Sequence, residues 1–218
     1  MRTLAIIQAR MGSTRFPGKV LKPILGIPML SLLIDRVRQS KRVDQIVVAT
    51  SIEPLDDVIE TLVETLPEVA LYRGSEANVL SRYYEAAKTF GAEAILRVTA
   101  DNPLFDPVTA DRLIEALDGY DFVTNNIVRT FPYGIDLEAF TFRALEEAYR
   151  CASVPHQLEH VTPYIREHPE TFTIHNIQFD RDLSQFRLTV DTPEDYAHVV
   201  SLFERHGLNL TFQVAAHG

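Results

Sequence analysis

The stretch LAIIQARMGSTRFPGKV, residues 4–20, decides how the rest of the chain is read. Leu4 to Ile7 form a short apolar run of the kind found in a buried strand. It passes straight into a loop holding Gly12, Ser13, Gly18 and Lys19. Neither common phosphate cradle fits that loop. A Walker A loop has four residues between its first glycine and its Gly-Lys pair, then Ser or Thr. Here five residues separate Gly12 from Gly18-Lys19, and Val20 follows. Pro17 also removes a backbone N–H that such a loop would donate. The Gly-x-Gly-x-x-Gly spacing of a dinucleotide fold is missing as well. What remains is a strand followed by three well-spaced cations, Arg10, Arg15 and Lys19. That pattern suits a triphosphate held by side chains, with glycine allowing close approach.

Working outward, no Asp or Glu precedes Asp35, so the first 34 residues carry only the cations Arg2, Arg10, Arg15, Lys19 and Lys22. The whole chain has a net charge of −9, which argues against general nucleic-acid binding. A basic opening segment in an acidic chain is a candidate anion site, although a chance distribution reads equally well. Cys151 is the single cysteine, which excludes an internal disulfide and fits a reducing cytoplasm. Arg10 interrupts the opening apolar run too early for a signal peptide. LKPILGIPMLSLLI (21–34) is too short to span a membrane and holds Lys22, Pro23 and Pro28. The expectation is a soluble cytoplasmic protein with neither nucleic-acid nor membrane partners.

Short runs rich in Ile and Val at 3–8, 45–50, 69–73, 94–99 and 121–125 read as buried strands. Helical patterns lie between them at 28–40, 54–65, 78–90 and 107–117, the last opening on Pro107. This alternation predicts βαβ units, hence a Rossmann-like, mostly parallel sheet flanked by helices. Beyond Asn126 the rhythm loosens. Residues 134–142 look extended, helices are expected at 143–151 and 157–167, strands at 172–179 and 186–190, and a last helix from Pro193 to His206. Residues 1–218 are expected to form a single domain, with an insertion or arm at 126–186.

Two acids stand at predicted strand ends: Asp101 in ILRVTADNPL and Asp191 in RLTVDTPEDY. Ligands of open α/β sheets sit at the carboxyl ends of strands, so the two can converge on one crevice. Magnesium is usually held by one or two carboxylates together with substrate phosphates. The plainer readings are a turn for Asp101 before Asn102-Pro103, and a capping box of Thr192, Pro193 and Asp195 that leaves Asp191 free.

The opening motif, QARMGSTRFPGKVLKPI, resembles the signature of the sugar cytidylyltransferases, which activate 3-deoxy-2-keto sugar acids such as KDO and the sialic acids. The likeness is nearest to the spore-coat-polysaccharide branch. It continues through YRGSEANVLSRYYEAAK (72–88), RVTADNPLFDP (97–107), FPYGIDLEAF (131–140), EHVTPYI (159–165) and LTVDTPEDY (188–196), and so covers nearly the whole chain. Phe16 stands where the family more often has Leu, a swap that keeps an apolar side chain.

The resemblance implies a nucleotidyltransferase fold of the GT-A-like type and transfer of CMP from CTP to a sugar acid. Arg10 and Lys19 would then be catalytic with Asp101, and Gly12, Ser13 and Arg15 would bind nucleotide. Asp101 and Asp191 would hold Mg²⁺. Arg73, Gly74 and Ser75 would read the base, although an ordinary loop with Ser75 or Asn78 as helix cap fits equally well. Asn126, Asp136, Glu159 and His160 would meet the sugar. Asn125 is a further candidate, although Asn and Asp in loops usually serve turns. The resemblance also implies a homodimer, with Phe131, Tyr133, Phe140 and Phe142 available for burial against a partner, unless the chain's own core absorbs them.

Other activities compete with this one. HQLEH (156–160) matches a zinc-peptidase pattern, but Pro163 cuts the helix short and a polar helical turn is the better reading. A nucleotidyltransferase acting on sugar 1-phosphates, a related glycosyltransferase and a non-catalytic nucleotide-sugar-binding protein are the rivals. A dianionic sugar phosphate would call for a second cation cluster. Between Asn125 and Glu159 the cations are Arg129, Arg143 and Arg150, of which only Arg129 is expected in a loop.

Overall fold

Residues 1–217 of the chain are described by a computed structural model. β1 (Thr3–Gln8) ends in the cation-bearing loop, which closes on a 3₁₀ turn over Lys19–Leu21. A small ribbon, β2 (Pro23–Ile24) and β3 (Ile27–Pro28), leads into α1 (Met29–Val37). The alternation continues through β4 (Gln45–Ser51), α2 (Asp57–Glu64), β5 (Val69–Gly74), α3 (Val79–Thr89), β6 (Ala94–Thr99) and α4 (Pro107–Ala116). Next come β7 (Phe122–Thr124), β8 (Glu138–Thr141), α5 (Phe142–Cys151), α6 (Pro155–His160), α7 (Pro163–Glu167) and β9 (Ile174–Asn176). α8 (Pro193–His206) and α9 (Phe212–Ala215) follow.

The main sheet runs β5-β4-β1-β6-β8-β7-β9. β8 is antiparallel to both of its neighbours, and every other pairing is parallel. The apolar run of β1 is explained by burial on both faces. Ala5 and Ile7 join the layer of α1, α2 and α4 through Leu33, Ile59 and Leu113. Leu4 and Ile6 face Leu80 and Tyr83 of α3 and Leu145 of α5 on the other side. A third apolar cluster sets Val199 and Phe203 of α8 and Phe212 of α9 against Phe131, Leu188 and Val190. It lies behind the segment that carries Asp191.

The second half of the chain departs from its expected outline. Residues 126–186, expected as an insertion or arm, supply β8 and β9 to the main sheet. The stretch 186–190 makes only an isolated bridge between Tyr133 and Arg187. The expected helix over 157–167 is broken at Val161 into α6 and α7. Phe131 and Phe140 lie in the chain's own core, and the partly buried Phe142 packs against it. Tyr133 is 45% exposed.

Candidate active site

The loop after β1 is shaped by a single carbonyl. Met11 O accepts from Ser13 N at 2.9 Å and from Gly18 N at 3.0 Å, closing the loop on itself. Ser13 Oγ accepts from Phe16 N at 3.3 Å. Gly18 sits at φ +70°, where glycine alone carries no Cβ penalty. Met11 N donates to the buried Asp56 at 2.7 Å, and Asp56 also takes the backbone N–H and hydroxyl of Ser51, so the loop is tied to the end of β4. As a result Arg10, Gly12, Ser13, Arg15 and Lys19 all line one cleft of 730 Å³.

Asp101 and Asp191 reach the same cleft. The backbone carbonyl of Asp101 accepts from Val190 N at 2.8 Å and from the Thr189 hydroxyl at 3.3 Å. That docking sets the segment before α8 beside the end of β6. Lys19 lies between the two acids, with Nζ 3.2 Å from Asp101 Oδ2, 3.1 Å from Asp191 Oδ1 and 2.8 Å from Val190 O. Three acceptors match the three protons of a lysine ammonium.

Arg15 reaches the same Asp191 oxygen at 3.0 Å, and Arg187 reaches the other at 2.8 Å. Burial alone would raise the Asp191 carboxyl, but its bonds to Lys19 and Arg187 and the charge of Arg15 hold it below the ordinary range. The capping box forms as read from sequence: Thr192 Oγ1 accepts from Asp195 N, and Asp195 accepts from Thr192 N. Asp195 also binds Asp191 N at 2.9 Å and Arg187 Nε at 2.9 Å, so cap and acid share one scaffold. Arg187 escaped the sequence reading because nothing in its spacing links it to Asp191.

Glu76 and Arg82 form a further wall of the cleft, and Glu76 lies 3.8 Å from Arg10. A Cβ at Gly12 would lie 3.3 Å from Glu76 Oε1, so glycine there keeps loop and wall close. Arg82 is buried on α3, donates to Ser75 O at 3.0 Å, and leaves its Nε unpaired. Burial lowers its pKa. The sequence signal for it was an arginine between the buried residues Leu80 and Tyr83. Arg73, Gly74 and Ser75 are not among the cleft-lining residues. Arg73 turns to Asp57 at 2.7 Å, Ser51 O at 2.9 Å and Glu53 O at 3.0 Å, pinning β5 to the start of α2. Gly74 packs on the stem of Arg82, and Ser75 Oγ accepts from Asn78 N at 3.0 Å. Asn78 caps α3.

Glu159 and His160 line the cleft from the end of α6. The turn that aims them is unusual. Val161 has φ 72° and ψ −55°, and Thr162 N donates to His160 O at 2.9 Å. This is the strained, positive-φ form of the γ-turn, on a β-branched residue that is fully buried. Beyond it, the Thr162 hydroxyl donates to the buried Glu138 at 3.0 Å. Glu138 accepts from Arg97 at 2.8 Å, and Arg97 reaches the cleft residue Gln8 at 3.2 Å. His156 instead pairs with Glu167 at 2.7 Å.

The remaining expected sugar residues lie outside the cleft lining. Asp136 pairs with Arg129 at 2.6 Å, and Arg129 stacks on Tyr133. Asn125 is fully buried, giving a hydrogen bond to Ile135 O and accepting one from Leu137 N. Asn126 has a buried side-chain oxygen without a partner.

Loop cations and two acids gathered at the carboxyl end of a mostly parallel sheet with one reversed strand define a nucleotidyltransferase. The chain belongs to the cytidylyltransferase family, whose profile matches residues 4–210. It is 38% identical to the spore coat polysaccharide biosynthesis protein SpsF of Bacillus subtilis over 214 residues, 94% of this chain and 87% of that one. A cytidylyltransferase from Leptospira borgpetersenii superposes with a TM-score of 0.94 at 35% identity, over 100% of this chain and 93% of that one. A CMP:2-keto-3-deoxy-manno-octonic acid synthetase complexed with CTP shares the fold, with a TM-score of 0.72 at 19% identity over 94% of this chain and 100% of that one. Among the described residues, no helix is long and apolar enough to cross a membrane.

Proposed function

We propose that the chain transfers CMP from CTP to the anomeric hydroxyl of a 2-keto-3-deoxy sugar acid, releasing pyrophosphate. The observation that carries this reading is the convergence of Asp101 and Asp191 on one cation, Lys19 Nζ, in the cleft that Arg10 also lines and where Arg15 reaches Asp191. In this reading Arg10, Arg15 and Lys19 hold the triphosphate and neutralise the departing pyrophosphate, with Gly12 and Ser13 giving the phosphates room to approach. Such transfer depends on positioning and charge neutralisation more than on covalent chemistry.

The acid pair fits Mg²⁺. Both donors are hard carboxylate oxygens already directed at a shared cationic point, and among the described residues no third acid or histidine joins them. Two carboxylates completed by substrate phosphates is the usual magnesium arrangement. Bound there, the ion would lower the barrier to bringing an oxygen nucleophile onto a polyanion. Glu159 and His160 are assigned to the acceptor, at the edge of the same cleft.

A monoanionic acceptor is favoured over a sugar 1-phosphate because Arg129 is held by Asp136 at 2.6 Å. We assign a homodimer as well, with Tyr133 and the exposed Ile127 and Val128 at its contact. Light scattering at micromolar concentration checks the dimer.

The experiment that tests the activity is pyrophosphate release across four nucleoside triphosphates and a panel of sugar acids and hexose 1-phosphates, with and without Mg²⁺. CTP with a 2-keto acid should be turned over. Lys19→Ala and Arg10→Ala should each cut the rate roughly a hundredfold, the usual loss when one transition-state charge contact is removed. Transfer confined to a hexose 1-phosphate would overturn the acceptor assignment.

A further inference from the structure

We propose that Lys19 is a placeholder for the metal, so that the divalent cation is admitted only together with the triphosphate. The inference rests on the reading of Asp101 and Asp191 as metal acids and adds a binding order to it. The ammonium is buried, and all three of its protons are taken up by Asp101, Asp191 and Val190 O at 2.8–3.2 Å.

A magnesium or manganese ion shared by the two acids would have to sit about 2.1 Å from an oxygen of each. One oxygen of each acid, Asp101 Oδ2 and Asp191 Oδ1, is already bound to Nζ. The dication would therefore have to sit at very short range from the ammonium, which is strongly repulsive. Two further cations, Arg15 and Arg187, crowd Asp191 at 3.0 and 2.8 Å and add to the repulsion. Metal alone offers Lys19 nothing in exchange for these three bonds.

A triphosphate does. Its oxygens enter a cleft lined by Arg10, Arg15 and Lys19, give the ammonium and Arg15 anionic partners, and free the carboxylates for the metal. Asp101 and Asp191 would then be free to ligate a metal that arrives with the nucleotide. Lys19 thus keeps the paired acids neutralised until nucleotide arrives, and the same displacement brings it onto the phosphates.

Manganese binding tests this without turnover, using the full chain. Free Mn²⁺ is read by electron paramagnetic resonance as protein is titrated in the absence of nucleotide. Wild type should show no saturable binding up to millimolar Mn²⁺. Lys19→Met should bind one ion per chain at least tenfold more tightly, and Asp191→Asn added to it should abolish that binding. Lys19→Gln, which still donates hydrogen bonds between the acids, serves if the methionine variant fails to fold by circular dichroism. Wild-type binding within threefold of the variants, or no binding by either variant, would overturn the placeholder. A separate arm adds Mn²⁺ with CTP and reads water-proton relaxation. Enhancement that is lost in Asp101→Asn supports the metal acids independently of Lys19. Its absence in wild type would remove the metal reading, and the placeholder with it.

Discussion

Arg97 Nη1 lies 2.8 Å from Glu138 Oε2, an ion pair between register partners on β6 and β8 in which Glu138 is buried and Arg97 largely so. It joins the parallel half of the sheet to the reversed strand, and its two ends diverge. Arg97 holds Gln8 at the cleft, while Glu138 holds Thr162 just beyond His160. Removing one member of a buried pair costs about 3–5 kcal/mol, whereas replacing both by apolar residues is often nearly neutral. Glu138→Gln should therefore lower stability by about 3 kcal/mol in urea unfolding, and Arg97→Met with Glu138→Leu by much less. Equal losses in the single and double variants would show that the pair is not what holds the strands.

Val161 gives a sharper contrast. Exchanging alanine for glycine usually costs about 1 kcal/mol through backbone freedom. At φ 72° and ψ −55° the alanine keeps the strain of the turn and glycine relieves it. Val161→Gly should thus be at least as stable as Val161→Ala, with both below wild type because a fully buried side chain is lost. Thermal unfolding of the three proteins checks the order. An alanine variant more stable than glycine by about 1 kcal/mol would mean the turn is not strained.

These two sites mark where sequence reading stops. The strand-helix alternation through α4 was legible because each run carries its own period and its own breakers, such as Pro107 at the start of α4. The loop cations were legible as an acid-free segment, and Asp101 and Asp191 as acids at apolar run ends. What escaped was whatever depends on contacts between distant residues. The stretch 186–190 has a strand's composition, but its partners are the Asp101 carbonyl and Tyr133, so it never enters the sheet. Arg73 looked like a base reader, yet its guanidinium has acids on α2 within reach. Arg82 was not singled out, since its place at the cleft depends on how α3 packs. Val161 carries no signal at all, since a valine at positive φ is a property of the fold around it.

Asp121 predicts a pH dependence of stability. It accepts from Thr173 N at 3.0 Å and the Thr173 hydroxyl at 2.9 Å, and pairs with Arg143. Burial would raise its carboxyl, but these bonds outweigh it and the pKa lies below the ordinary 3.8. A depressed folded-state value adds stability that is full above the unfolded-state pKa and lost as pH falls through the folded one. Unfolding free energy should therefore decline below about pH 4. Asp121→Asn should be less stable at neutral pH, by about 1–3 kcal/mol, and should lose part of that acid slope. An unchanged slope in the variant would assign the acid sensitivity to other carboxylates.

Gly134 links the loop before β8 to the segment that carries Asp191. It sits at φ +101°, and a Cβ there would lie 2.5 Å from Thr189 N and 2.6 Å from the Leu188 carbonyl carbon. These are backbone atoms of the segment that ends at Asp191, fixed by Leu188 N donating to Tyr133 O at 2.7 Å and Val190 N to Asp101 O at 2.8 Å. The segment cannot retreat without moving Asp191 away from Lys19. Gly91 supplies the control: its φ is +68°, but nothing lies within 4 Å of an added Cβ. Gly91→Ala should cost only the conformational penalty of about 1 kcal/mol and leave turnover intact. Gly134→Ala should lose about 2 kcal/mol or more and also lower pyrophosphate release. Urea unfolding and initial rates on both variants make the comparison, and matching effects at the two glycines would rule out a steric link between this loop and Asp191.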